Sequence, residues 1–198
     1  MKSICVYCGS ANKASAEYYQ AARLMGTTIA SHNLALVYGG GRTGLMGALA
    51  DTVLELGGQV TGVITESMNT PELAHTRLTR LEVTRTIHER KARMYALADG
   101  YIALPGGYGT LDELFETLTW SQIGEHDKPV GILNVNRYYD PLLVMLDNAV
   151  QANLLYSEHR RSLLCESDPE KLLLGMENYH YPDEAARRWM KQEDQPER

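Results

Sequence analysis

The sequence lacks both an excess of basic residues and any long hydrophobic run. It contains 19 Lys and Arg against 25 Asp and Glu, which gives a formal net charge of -6. Proteins that coat nucleic acid or an anionic membrane need a basic face, so we expect neither partner and instead a small molecule. The apolar run after Lys2 is about six residues long, far short of the roughly 20 that span a bilayer. We therefore expect no membrane association and a cytoplasmic location.

Cysteine is also scarce, with three residues in the whole chain. Cys5 and Cys8 have the C-x-x-C spacing that elsewhere marks a redox or zinc site. Here both lie in a predicted strand, where residues three apart point to opposite faces of the sheet. The spacing therefore predicts buried, inert thiols. The few histidines show no ligand spacing, so no metal is expected.

Apolar segments and helical patterns alternate along the chain. Strands are predicted at Ile4–Cys8, Leu34–Tyr38, Val60–Ile64, Leu78–Val83, Tyr101–Leu104 and Val130–Leu133, with a further one at Leu163–Cys165. Helices are predicted at about residues 15–31, 44–56, 86–99, 110–123 and 138–152, and another begins near Asp168. This alternation predicts an α/β fold, a doubly wound, mostly parallel sheet (Rossmann-like) with helices on both faces. We expect one nucleotide-binding domain over 1–182 and a charged tail over 183–198.

The segment Pro105 to Glu113, which reads PGGYGTLDE, has the layout of an anion site. It follows an apolar strand and opens directly into a helical pattern. Gly106, Gly107 and Gly109 allow backbone N–H groups to converge without obstruction by side chains. The helix predicted to begin near Thr110 adds unpaired amides and the positive end of its dipole. A phosphate would fit there.

Carboxylates crowd the same helix start. Asp112 and Glu113, followed by Glu116, would repel a bound anion, and this crowding suggests chemistry as well as binding. Thr110 to Glu113 also matches a capping box, in which Glu113 would only reach back to the N-cap amide. Thr86 to Glu89 has the same pattern. Both interpretations of Glu113 therefore stay open.

A second glycine cluster, Gly39 to Gly47, again joins an apolar strand to a helix. It contains G-x-G-x-x-G, but in the second βα unit this is weak support for an NAD-linked oxidoreductase, and no hydride-transfer site is recognisable. The alternatives are contact with a phosphate or nucleotide and a tight turn with close helix packing. Gly9 and Ser10, after the first strand, would lie at the same sheet edge, where ligands of such folds bind.

Two cations interrupt the apolar stripe of the helix predicted at 86–99. Arg90 and Lys91 stand three and four residues after Ile87, at positions that would face the core. They also lie in the N-terminal half of the helix, where its dipole disfavours positive charge by a few tenths of a kcal/mol. A nearby anion would explain them. The alternative is a solvated charge run from Glu89 to Arg93.

Three segments together, GGGxxGLMG at 39–47, HERK at 88–91 and PGGYGTLDE at 105–113, resemble the Lonely Guy (LOG) family of cytokinin-activating phosphoribohydrolases. The resemblance covers roughly residues 2–165 and departs at Ile87, where the family often has methionine. It implies hydrolysis of a purine riboside 5'-monophosphate, such as AMP or isopentenyladenosine monophosphate, to free base and ribose 5-phosphate, with no cofactor. Many members carry an older label of lysine decarboxylase, but no pyridoxal-binding pattern supports that label here.

The resemblance also implies a set of site residues. Arg90 and Glu113 would be catalytic, Glu113 by stabilising the cationic sugar or activating water and Arg90 by orienting the phosphoribosyl group. Glu72 or solvent would protonate the leaving base. Substrate contacts would come from Ser10, Gly40, Gly41, Met46, Glu72, Lys91, Gly106, Gly107, Gly109, Thr110 and Thr119. The rival from another class is a non-catalytic nucleotide or molybdenum-cofactor carrier of the same superfamily, which does not need the Arg90 and Glu113 pair.

The helix after PGGYG carries apolar residues on more than one face, and an α/β layer normally buries only one. The residues concerned are Leu111, Leu114, Phe115, Leu118, Trp120 and Ile123. We expect a homodimer, or an assembly of dimers, to cover the excess, as the family resemblance also implies. The alternative is that the segment from Asp168 onward folds back over this surface.

Overall fold

The computed structural model describes residues 1–182, and the tail expected at 183–198 lies outside the described residues. The strands are β1 (Ser3–Tyr7), β2 (Ala35–Tyr38), β3 (Val60–Thr65), β4 (Arg80–Thr84), β5 (Tyr101–Ala103), β6 (Val130–Leu133) and β7 (Leu163–Glu166). The helices are α1 (Ala16–Ser31), α2 (Gly44–Glu55), α3 (Ile87–Leu97), α4 (Tyr108–Gln122), α5 (Asp140–Gln151), α6 (Ser157–Ser162) and α7 (Pro169–Glu177). Single 3₁₀ turns span Glu66–Met68 and Val135–Arg137.

The strands form one sheet in the order β4-β3-β2-β1-β5-β6-β7. Every neighbouring pair is parallel, so the predicted α/β class is confirmed and the sheet is parallel throughout. The chain winds outward from β1 to β4 and then returns to place β5 on the other side of β1. The topological switch point therefore lies at the carboxyl ends of β1 and β5, where doubly wound folds bind their ligands.

Helices cover both faces of the sheet, as the alternating pattern predicts. Along β1, Ile4 and Val6 point into a core shared with α1, α2 and α7. Cys5 and Tyr7 point into the opposite core, which is shared with α3, α4 and α5. Cys8, just past β1, lies in the first core, so the two C-x-x-C thiols face opposite sides of the sheet as expected. Burial raises the pKa of both thiols, which are free.

Side-chain caps define two helix starts as the sequence predicts. Thr86 Oγ1 accepts the Glu89 amide at the start of α3, and the Glu89 carboxylate accepts the Arg85 amide, one residue before the N-cap. Asp168 caps α7 by accepting the Lys171 amide. The capping-box alternative for Thr110 to Glu113 is not what the structure has. Helix α4 begins two residues earlier, at Tyr108, with Gly107 as its N-cap, and this leaves Glu113 without a capping role.

The C-terminal helix does not cover the apolar excess of α4. The buried side chains of α7, Leu172, Leu173 and Met176, join the core of α1 and α2, on the opposite face of the sheet from α4. Within residues 178–182, Tyr181 reaches the end of α4, where its Oη donates to the Ser121 carbonyl at 2.7 Å. Within residues 1–182, no helix combines the length and apolar character that crossing a bilayer requires.

Candidate active site

A cavity of about 840 Å³ opens at the carboxyl ends of β1, β2 and β5. Its volume is in the range of small-molecule sites, roughly 300–1,000 Å³, and it lies at the switch point of the sheet. Nine of the residues predicted for the site line it: Ser10, Gly41, Met46, Arg90, Gly106, Gly107, Gly109, Thr110 and Glu113. The turns that follow three different strands thus contribute to one cavity.

Arg90 and Glu113 form a buried ion pair at this cavity. Arg90 Nη1 donates to Glu113 Oε1 at 2.9 Å, and only 9% and 13% of the two side chains is exposed. A second bond, from Arg90 Nε to the Val63 carbonyl at 2.9 Å, holds the guanidinium against the end of β3. The guanidinium packs directly on Gly39, where any Cβ would collide with it. The anion that explains this cation in α3 is therefore Glu113, and Arg90 is not part of a solvated charge run.

Burial gives Glu113 an unusual affinity for a proton. Loss of solvent raises the pKa of the Glu113 carboxyl, and the opposing charge and hydrogen bond of Arg90 offset only part of that rise. A carboxyl with a raised pKa exchanges protons closer to neutral pH than an exposed glutamate does. Perturbed titration in a cavity is a common property of catalytic groups.

The N-terminus of α4 presents unpaired donors at the cavity. Within residues 1–182, the amides of Gly107, Tyr108 and Gly109 have no hydrogen-bond acceptor, as expected for the first turn of a helix without a side-chain cap. A Cβ at Gly107 or Gly109 would meet no atom within 4 Å. The backbone at these two glycines is therefore unobstructed, which leaves room for an anion to approach the helix N-terminus.

Two amides at the N-terminus of α2 already have acceptors within the protein. The Gly44 amide donates to Asn12 Oδ1 at 3.0 Å, and the Leu45 amide donates to the Gly9 carbonyl at 2.9 Å. Gly44 has a φ of +60°, and its position for a Cβ lies 2.5 Å from the carbonyl carbon of Ser10. This glycine cluster packs tightly against the loop after β1, as the packing alternative predicts.

Four predicted contact residues lie outside the cavity lining. Gly40, with a φ of +75°, packs against Ile64. The Lys91 side chain turns to Asp112 and Glu116, at 3.1 and 2.9 Å.

Glu72 and Thr119 are exposed. A hydrogen bond from the Thr70 side chain lowers the pKa of the Glu72 carboxyl, and Thr119 Oγ1 donates to the Phe115 carbonyl at 2.7 Å.

Several cavity residues have no place among the sequence predictions. Asn12 and Tyr18 come from the loop and helix after β1, and Tyr138 comes from the turn after β6. The apolar side chains of Ile64, Met68 and Leu73 also line the cavity. Asn12 follows β1 closely, so its place at the sheet edge was available from the same argument that located Ser10. Nothing in the local pattern identifies Tyr138.

The fold and this cavity define a class: doubly wound α/β proteins with a cavity at the switch point of the sheet. The family model described as "Possible lysine decarboxylase" matches residues 46–176. A cytokinin riboside 5'-monophosphate phosphoribohydrolase from Rhodococcoides fascians is 48% identical over 167 residues, which cover 83% of this chain and 84% of that relative. One from Arabidopsis thaliana is 42% identical over 178 residues, which cover 90% of this chain and 84% of the relative. The chain belongs to the LOG family.

Solved structures share the fold at lower identity. The molybdenum cofactor binding protein from Rippkaea orientalis has a TM-score of 0.67 and 24% identity, with 89% of this chain and 96% of that chain covered. The Moco carrier protein from Chlamydomonas reinhardtii has a TM-score of 0.63 and 21% identity, with 88% and 99% covered. At this distance the similarity describes the common architecture, since one fold hosts many functions.

Proposed function

We propose that this protein hydrolyses the N-glycosidic bond of purine riboside 5'-monophosphates, giving the free base and ribose 5-phosphate. The observation that carries the proposal is the combination, in one cavity, of a buried Arg90–Glu113 pair and a helix N-terminus with unpaired amides. The relatives named as cytokinin riboside 5'-monophosphate phosphoribohydrolases support it, since they match most of the chain.

The phosphate is assigned to the N-terminus of α4. The amides of Gly107, Tyr108 and Gly109 and the positive end of the helix dipole suit a dianion. At α2 the Gly44 and Leu45 amides already have acceptors, so that turn instead forms a wall beside the ribose. The two glycine clusters thus have different parts in the proposal.

The reaction needs a group that stabilises positive charge on the ribose as the glycosidic bond breaks. Cleavage of the ribose to purine bond develops oxocarbenium character on the ribose and negative charge on the base. In the ionised form, Glu113 stabilises that cation or accepts a proton from the attacking water. Arg90 holds the carboxylate at 2.9 Å and offsets its repulsion of the phosphate. Protonation of the departing base falls to solvent, because Glu72 is exposed and its pKa is lowered.

An apolar wall supports a substituted purine as substrate. Met46, Ile64, Met68, Leu73 and Ile87 line one region of the cavity. Met68, Leu73 and Ile87 remain 36%, 44% and 42% exposed, so a ligand that covered them would remove apolar surface from water. An alkyl group on the purine would do so, whereas adenine alone would cover less. We therefore include N6-prenylated nucleotides, such as isopentenyladenosine monophosphate, in the proposed substrate class.

The decisive experiment incubates the pure protein with AMP, isopentenyladenosine monophosphate and adenosine and measures the released base by chromatography. We expect base from both nucleotides and at least about 100-fold less from adenosine, since two charge-assisted hydrogen bonds are worth roughly 3 kcal/mol or more. Equal rates with adenosine would exclude the phosphate assignment. Nucleotide binding without any released base would instead support the carrier function.

The proposed working unit is a homodimer or an assembly of dimers, located in the cytoplasm. Leu111, Phe115, Leu118 and Trp120 of α4 stay partly exposed, and α7 lies on the other face of the sheet. Light scattering of the active protein at micromolar concentration tests the assembly, and a single active species near the 22.1 kDa chain mass would contradict it.

A further inference from the structure

Hydroxyl groups from a turn after β6 hold two peptide carbonyls at the entrance to α4. Tyr139 Oη donates to the Leu104 carbonyl at 2.7 Å. Tyr138 Oη donates to the Gly106 carbonyl at 2.5 Å. The two bonds come from neighbouring tyrosines but reach peptides on either side of Pro105. Their consequences for the α4 donors differ.

Through the planar peptide, the bond from Tyr138 to the Gly106 carbonyl fixes the direction of the Gly107 N–H. In a trans peptide the C=O and the following N–H point in opposite directions, so a fixed Gly106 carbonyl fixes the Gly107 N–H. That N–H is one of the amides without an acceptor within residues 1–182. The Leu104 carbonyl precedes Pro105, which has no N–H to direct. Tyr138 therefore orients a donor of the proposed phosphate site, and Tyr139 does not.

Packing within the turn holds one side of this peptide. A Cβ at Gly106 would collide with Thr110 Oγ1 and lie 2.9 Å from the Gly9 nitrogen, whereas one at Gly107 would meet no atom within 4 Å. Because glycine has more conformational freedom than any other residue, the bond from Tyr138 adds a constraint on the peptide that joins the two.

The structure holds Tyr138 in place at some conformational cost. Asn136 and Arg137, directly before it, have φ values of +48° and +61°, which non-glycine residues rarely adopt. Such outliers persist where the surroundings impose them, and they cluster at functional sites. Asn134 Oδ1 accepts the Tyr139 amide at 2.8 Å, and the Tyr138 ring packs edge-on against Tyr18 with centroids 5.9 Å apart.

We infer that the Tyr138 hydroxyl is a positioning residue for the phosphate subsite, acting through the Gly106–Gly107 peptide. The inference rests on the proposed function, because it assigns a role within the same site. Its action is on affinity for the phosphoryl group, and it makes no claim on the reacting atoms of the ribose.

The test compares Tyr138→Phe with Tyr139→Phe, using ribose 5-phosphate as the calorimetric probe. Both variants keep the aromatic ring and remove one hydroxyl that binds a carbonyl beside Pro105. Tyr138→Phe should raise the Kd for ribose 5-phosphate about five- to tenfold, the effect of one lost hydrogen bond, with Tm close to that of the parent. Tyr139→Phe should lower Tm, because Tyr139 is 1% exposed and removal of its hydroxyl takes away the hydrogen bond to the buried Leu104 carbonyl. Its Kd should stay within about twofold of the parent.

The binding measurements distinguish a failure of this inference from a failure of the proposed function. If the parent binds ribose 5-phosphate but releases no base from any nucleotide, the proposed function fails and the Tyr138 comparison still stands on the Kd values. An unchanged Kd in Tyr138→Phe, equal weakening in both variants, or no binding of ribose 5-phosphate to the parent would each overturn the inference.

Discussion

The two glycine-rich turns share a sequence pattern and use it for opposite purposes. The turn before α2 is closed, since Gly44 lies against Ser10 and donates to Asn12. The turn before α4 is packed at Gly106, where a Cβ would collide with Thr110 Oγ1, but open at Gly107 and Gly109, which have free space around them and amides without an acceptor within residues 1–182. A glycine cluster after a strand thus indicates a close approach of backbone, and the acceptors of its amides decide whether the partner is protein or ligand.

The largest expected effect is on catalysis and follows from a substitution of Glu113 in α4. Glu113→Gln should lower kcat by about 100- to 10,000-fold, because an amide neither stabilises the cation nor accepts a proton. Its Tm should stay near that of the parent, since the amide oxygen still accepts from Arg90.

Glu116→Gln is the matched control, one turn further along α4 and paired with Lys91 at 2.9 Å. It should change kcat by less than about threefold. Near-normal turnover in Glu113→Gln, or an equal loss in both variants, would show that Glu113 is not catalytic.

A pair of alanine substitutions tests the comparison of the turns directly. Gly44→Ala should destabilise the protein by about 1–3 kcal/mol or more, because φ is +60° and the methyl would meet the Ser10 carbonyl. Gly109→Ala should keep or raise Tm, since alanine favours a helix by about 0.5–1 kcal/mol over glycine.

The same methyl at position 109 would enter the cavity, so the Kd for ribose 5-phosphate should rise about tenfold. Denaturation and calorimetry on both variants give the result. The reverse order of stabilities would contradict the assignment of one closed and one open turn.

The smallest expected effect concerns pH. Because burial raises the pKa of Glu113 above its ordinary value of 4.5, the folded protein binds a proton more readily than the unfolded chain does. The parent should therefore gain stability relative to Glu113→Gln as pH falls from neutral towards 4.5, through the raised pKa. Thermal unfolding of both proteins over roughly pH 4 to 8 measures the difference. A difference that is constant or shrinks towards acid would contradict a raised pKa.

Much of the fold follows from the alternation of apolar strands and amphipathic helices. Within residues 1–182, the elements that the sequence did not predict are the short helix Ser157–Ser162, the two 3₁₀ turns and the early start of α4. The early start at Tyr108 was hidden because glycines at 107 and 109 weaken the helical pattern, while Thr110 and Glu113 imitate a capping box. In the folded chain, the Glu113 side chain accepts a hydrogen bond from Arg90 and does not cap the helix.

The candidate site was predictable where residues follow a strand and unpredictable where segments meet across space. Gly106 and Ser10 lie at strand ends, so their position at the sheet edge follows from topology. Tyr138 reaches Gly106 from 32 residues away, and no local pattern encodes that contact. Lys91 is next to Arg90 in sequence, but consecutive helix residues point in different directions, and the Lys91 side chain contacts Asp112 instead of the cavity.

The Cys5 thiol of the central strand provides a built-in reporter of sheet opening. Cys5 and Cys8 are 0% and 7% exposed, and their raised pKa values keep them protonated and unreactive in the folded protein. Cys165 is partly accessible. A thiol reagent should therefore label Cys165 quickly and Cys5 only when the middle of the sheet separates. The slow labelling rate would measure the opening free energy of the strand that supports the cavity.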